Sequence, residues 1–175
     1  MKKYYYAGIG SRQTPNNILK LMTNYAIKLR ELNYILRSGG AVGADTAFER
    51  GAGKEKEIYL PWKGFNKHTS RYYNITKSAF ELASKYHPYW DYLKPSVQKL
   101  MARNCYQILG YDLAIPVDFV ICWTPDGCET INDRTKNTGG TGIAIALADS
   151  YNIRVFNLKN KTSQEELENL LLRLE

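Results

Sequence analysis

The sequence predicts an α/β fold: a mainly parallel five-stranded sheet with helices on both faces. Short aromatic and β-branched runs alternate with segments whose apolar residues recur at helical spacing. Glycine- or proline-bearing turns close the runs, and 175 residues suffice for one sheet with its covering helices. Strands separated by helices return parallel, so the expected order is doubly wound and Rossmann-like, with residues 1–175 forming a single domain.

Tyr4–Ile9 reads as the first strand, running into glycine. Thr14 followed by Pro15 reads as a helix N-cap and first helical position, ahead of Ile18, Leu21, Met22, Tyr25, Ala26, Leu29 and Leu32. Tyr34–Arg37 is the second strand, ended by Ser38-Gly39-Gly40. A helix is expected from about Gly43 through Ala47 and Phe48 towards Arg50. Glu57–Leu60 is the third strand, stopped by Pro61. The stretch Trp62 to Tyr111 is less regular. Ala79, Leu82, Ala83 and Tyr86 fit one helix broken at Pro88, and Pro95 starts another with Val97, Leu100, Met101 and Ile108. Phe119–Trp123 is a buried strand, Ile143–Ala148 a small-residue helix and Arg154–Asn157 the last strand. Ser163 with Glu166 reads as a capping box ahead of Leu167, Leu170, Leu171 and Leu174, a stripe that serves either the core or a homodimer or higher homo-oligomer.

Hydrophobic residues make up 44% of the chain and charged residues 23%, an ordinary globular balance that argues against wholesale disorder. Twenty-four Lys and Arg against 17 acids give a net charge of +7, which suits anionic partners unless the cations are merely scattered. No apolar run of signal-peptide length precedes Gly10, and no window approaches the ~20 apolar residues that span a bilayer. Cys105, Cys122 and Cys128 form no CxxC pair, and His68 and His87 are the two histidines, so no local zinc site is encoded. The expectation is a reduced, cytoplasmic chain with no metal, no cofactor and no membrane partner.

Unusual residues collect where the strands end. Gly8, Gly10, Ser11 and Arg12 close the first strand, and Ser38, Gly39 and Gly40 the second. Trp123 and Thr124 finish the fourth. In open parallel sheets this is the edge that binds ligands. Gly39-Gly40-Ala41-Val42-Gly43-Ala44-Asp45 joins a strand to a helix, and its amides suit phosphate if the glycines do more than turn the chain. It is neither the GxGxxG fingerprint nor a P-loop. Thr138-Gly139-Gly140-Thr141-Gly142 repeats the design ahead of a later helix. Together the loops could hold two phosphates, or one phosphate and one sugar. Arg12 either grips phosphate or makes a surface salt bridge. Trp123 either stacks on a base or plugs the core. Arg103 and Asn104 lie near the boundary of their helix, where an arginine demands an anion. Asp45 either caps its helix or accepts from a ribose hydroxyl. With Glu49, four residues on, it forms a carboxylate pair suited to acid–base work on a glycosidic bond, or to capping and solvation. No nucleophile motif stands out.

The segments Gly8-Ile9-Gly10-Ser11-Arg12, Ser38-Gly39-Gly40-Ala41-Val42-Gly43-Ala44-Asp45 and Gly139-Gly140-Thr141-Gly142 resemble the SLOG superfamily over most of the chain. That superfamily groups the Rossmann-like domain of DNA-processing protein A with the lonely-guy phosphoribohydrolases. The segments Arg103 to Gly110 and Cys122 to Gly127 look like a stand-alone branch common in phage genomes. The lonely-guy motif is Pro-Gly-Gly-x-Gly-Thr-x-x-Glu, and its glutamate takes part in glycosidic cleavage. Here Thr138 stands at the proline, Ile143 at the threonine and Ala146 at the glutamate, so that chemistry is not implied. What the resemblance implies is binding of a nucleotide or nucleotide-derived signal, ADP-ribose-like or cyclic. A phage-encoded chain would sequester such a host defence signal in the host cytoplasm. Two alternatives stand beside it: an N-glycosidic-bond hydrolase using Asp45 or Glu49, and a single-stranded DNA-binding recombination mediator.

Overall fold

A computed structural model describes residues 3–175. Its sheet contains β1 (Tyr4–Gly8), β2 (Tyr34–Ser38), β3 (Lys56–Ile58), β4 (Phe119–Cys122) and β5 (Arg154–Asn157). They lie in the order β3-β2-β1-β4-β5, and every pairing is parallel. The helices are α1 (Asn16–Glu31), α2 (Ala44–Ala52), α3 (Lys77–Ser84), α4 (Pro95–Leu109), α5 (Thr141–Ser150) and α6 (Lys161–Leu174). The chain is thus an α/β, Rossmann-like, doubly wound protein.

Period-two alternation along the strands divides the core between the two faces. Tyr6, Leu36, Phe119, Ile121 and Phe156 pack with α1, α2 and α6, whereas Ala7, Val120, Cys122 and Val155 pack with α3, α4 and α5. Tyr6 lies within aromatic contact of both Phe48 and Phe119. Each fully buried large side chain of this kind contributes about 1.5–3 kcal/mol relative to exposure. The winding reverses between β1 and β4, and the two diverging connections leave a crevice at their carboxyl ends.

Three local expectations are corrected. Thr14 does not cap α1: Pro15 occupies the N-cap position in an extended conformation, and the Thr14 hydroxyl instead donates to the Ser11 carbonyl at 2.6 Å. The third strand is shorter and earlier than Glu57–Leu60. The Tyr59 amide still donates to the Ser38 carbonyl at 2.9 Å, and the chain then meets the segment at Tyr72, which bridges Tyr59 and accepts the Leu60 amide at 2.7 Å. Ser163 is not an N-cap, because α6 begins at Lys161 behind Asn160. Its hydroxyl is taken by Glu129, and Glu166 pairs with Arg154. Leu167 and Leu171 are buried in this chain's own core and Leu170 packs partly against it, whereas Leu174 is exposed. No helix among the described residues is long and apolar enough to cross a membrane.

Candidate functional site

A cavity of about 730 Å³ opens at the carboxyl ends of the central strands. Its walls come from the turn after β1, the glycine segment before α2, one face of α4 and the loop before α5. The volume falls in the range of small-molecule sites.

The two glycine segments, about a hundred residues apart in sequence, meet through α4. Arg103 Nη1 donates to the Gly39 carbonyl and, at 3.0 Å, to the Tyr59 carbonyl. Its Nε donates to Asn104 Oδ1 at 3.0 Å, and Asn104 Nδ2 donates to the Gly140 carbonyl at 2.8 Å. Adjacent side chains on one helix therefore clasp both loops.

This clasp explains Gly39. A Cβ there would fall 2.3 Å from Arg103 Nη1 and 2.4 Å from Gln107 Nε2, so the missing side chain is space for the guanidinium. Gly43 answers to a different demand. Its φ of 93° is a left-handed conformation, and a Cβ would sit 3.3 Å from the Arg12 Cα and the Ser11 carbonyl. The turn carrying Arg12 is thereby pressed against the start of α2.

The segment from Gly39 to Asp45 also supplies its own anion. Asp45, in the first turn of α2, accepts the Ala41 amide at 3.1 Å and a second backbone bond from Gly39. Burial pushes its carboxyl up to about 6, while Arg103 and the two amides pull the other way and Glu49 adds to the rise. Arg103 is brought down to about 10 by burial, opposed by Asp45 and reinforced by Arg12. It stays a cation at neutral pH. The amides of Gly39 and Ala41 are committed to Asp45, so they do not form the phosphate cradle expected of this loop.

Anion-seeking groups lie on the solvent side. Arg12 and Lys136 line the cavity, are exposed, and have no ion-pair or hydrogen-bond partner among the described residues. Gly10, Ser11, Gly139, Gly140, Thr138 and Thr141 line it as well. The Thr138 hydroxyl donates to Asp126 at 2.5 Å, beside the Thr135 hydroxyl at 2.7 Å. Burial pushes Asp126 up, but the hydroxyls of Thr138, Thr135 and Thr124 and the Cys128 amide outweigh it and hold the carboxyl below its usual range. Asp126 thus fastens the loop that carries Lys136.

Other expected residues serve the scaffold. Gly8 admits the Phe48 ring, which a Cβ would approach to 2.5 Å, and Ser38 donates to the Gly8 carbonyl at 2.6 Å. Gly40 backs onto Leu60, and Gly142 offers its carbonyl to Arg134 inside the protein. Thr124 is buried, where its hydroxyl accepts from Asn157 at 2.7 Å and the Cys128 amide at 3.2 Å. Trp123 is a core plug, not a stacking platform. Its ring lies on the α1, α2 and α6 side with Phe119 and Ile121, away from the cavity. Glu49 also lies outside the cavity, where Lys56 at 3.1 Å and His68 at 2.9 Å occupy its carboxylate. The Ser70 amide donates to His68 Nδ1, which leaves Nε2 as the protonated nitrogen facing Glu49. The carboxylate pair is therefore divided.

Among the lining residues, Gln107, Lys136, Leu100 and Met101, together with Ile9, Gln13, Ala41, Pro125 and Asn137, were not among the expected site residues. Gln107 was accessible to sequence reasoning, since it stands one turn beyond Arg103 on the same helix face. Lys136 carried no signal. The three cysteines are free and buried, and burial pushes the Cys105 thiol up to about 12 and the Cys128 thiol up to about 11. They are poor nucleophiles.

No protein-family model matches the sequence, and no curated protein matches it. Among solved structures the chain is similar to DNA processing protein A from Helicobacter pylori, a protein described for its single-stranded DNA binding mode. The identity is 14% and the TM-score 0.40, over 95% of this chain and 81% of that one.

Proposed function

We propose that this chain is a SLOG-type domain that binds a nucleotide or nucleotide-derived signalling molecule in the cavity at the strand ends. The observation that carries this reading is the Arg103-Asn104 clasp, which draws two remote glycine segments around one cavity with two unpaired cations on its solvent side. Arg12 and Lys136 take the phosphate, and Ile9, Ala41, Leu100, Met101 and Pro125 offer apolar wall to the base. Asp45 takes the amides of Gly39 and Ala41, which supports phosphate binding at Arg12 and Lys136 rather than on the loop before α2.

Titration calorimetry with nucleoside mono- and diphosphates, ADP-ribose and cyclic ADP-ribose isomers tests this. Saturable binding of at least one compound, weakened about tenfold or more in Arg12→Ala, is the expected result. Absence of binding across the panel overturns it.

A second reading rests on Asp45 alone. A buried cavity carboxyl that titrates near 6 has the acidity of a proton donor for an N-glycosidic leaving group. Released free base on incubation with nucleoside monophosphates or NAD, abolished by Asp45→Asn, would select this reading over binding alone.

A further inference from the structure

Asp45 is the one acidic residue lining the cavity among the described residues. An ionised carboxylate offers about four acceptor positions, and the amides of Ala41 and Gly39 engage two of them. Asp45 lines the cavity, and among the described residues no further donor hydrogen-bonds its carboxylate. Arg103 does not: its hydrogen bonds go to the carbonyls of Gly39 and Tyr59 and to Asn104. Asn104 is engaged at both ends of its amide, by Arg103 and by Gly140. The inner end of the site thus presents unfilled acceptor capacity beside a fixed negative charge. A phosphate there would meet the Asp45 charge and an Arg103 whose hydrogen bonds go to Gly39, Tyr59 and Asn104, so the anionic part of a ligand is directed to the unpaired Arg12 and Lys136. The group that complements Asp45 is neutral, polar and rich in hydroxyl donors.

We infer that Asp45 reads the sugar of the bound nucleotide by accepting from its ribose hydroxyls, which makes the site selective for ribonucleotides over 2′-deoxyribonucleotides. The inference rests on the nucleotide-binding reading above and adds the residue that sets specificity. Discrimination follows from desolvation. Asp45 is already desolvated by burial, so an acceptor position left empty finds no water to fill it; a 2′-deoxy sugar lacks one of the hydroxyls that a ribose offers as charge-assisted donors.

The test titrates the full chain by calorimetry with the four ribonucleoside 5′-monophosphates and their 2′-deoxy counterparts. The expected result is binding of ribonucleotides about tenfold or more tighter than the deoxy forms, with the ratio falling towards unity in Asp45→Asn. Equal affinity of ribo and deoxy forms for the wild-type chain overturns the role of Asp45 while leaving nucleotide binding intact. Full discrimination retained in a folded Asp45→Asn variant overturns it too. Absence of binding by every compound overturns the nucleotide reading and this inference together. The wild-type comparison decides the matter even where the variant does not fold.

Discussion

Replacing Asp45 by asparagine should change the pH dependence of stability in a definite direction. Burial raises this carboxyl from 3.8 to about 6, against the opposing influence of Arg103. The native state therefore holds the proton more tightly than the unfolded chain does. Between these two values the unfolded state binds fewer protons, so stability falls as pH rises. The protonated form's contribution is fully present below the unfolded value and is lost as pH climbs through about 6. At about 1.4 kcal/mol per pH unit, the gap amounts to about 3 kcal/mol. The charges acting on Asp45 are Arg103 and Glu49, and Arg103 keeps its charge throughout because its own value is about 10. Urea unfolding of wild type and Asp45→Asn from about pH 4 to about pH 8 isolates Asp45 together with its coupling to Glu49, since carboxylates that do not act on Asp45 cancel in the difference. Relative to wild type, the variant should gain about 2 kcal/mol of that gap between about pH 4 and about pH 7, then run parallel. A flat difference would mean that Asp45 is not desolvated. A difference of opposite slope would mean that attraction from Arg103 outweighs burial, and either outcome refutes the reasoning.

Gly39→Ala should cost about 2 kcal/mol in urea unfolding, because the added methyl lands on the Arg103 guanidinium and displaces its bonds to Gly39 and Tyr59; stability equal to wild type would show that the clasp has slack. Tyr6→Phe should leave stability unchanged or raise it by up to about 1 kcal/mol, since the buried Tyr6 hydroxyl has no hydrogen-bond partner. A marked loss on thermal melting would reveal a partner for that hydroxyl. Trp123→Phe should lower stability by about 1–2 kcal/mol and leave nucleotide affinity within about twofold. An affinity loss of about tenfold in calorimetry would instead place the indole in the site.

Much of the architecture was legible in the chain itself. Apolar periodicity switches between two and 3.6 residues, and that switch located every strand and helix of the sheet layers, with Arg154–Asn157 and the start of α4 at Pro95 read to the residue. The face of Trp123 was also readable. It continues the alternation Phe119, Ile121, Trp123, which places it on the α1, α2 and α6 side. Glycine clusters at strand ends marked the edge where the cavity lies. Caps were less legible, because Asn160 and Ser163 both qualify by type, and what withdraws Ser163 and its box partner Glu166 is their capture by Glu129 and Arg154, distant in sequence.

The chemistry of the site needed the tertiary structure. Gly39 and Gly40 look alike in sequence, yet one faces the Arg103 guanidinium and the other Leu60. Asp45 and Glu49 are both acids on one short helix, but the first turns into a cavity beside Arg103 and the second is captured by Lys56 and His68. Period and propensity are properties of neighbouring residues, so a linear chain displays them. Desolvation, steric room and the assignment of hydrogen-bond donors to acceptors depend on which remote segments become neighbours, and only folding determines that.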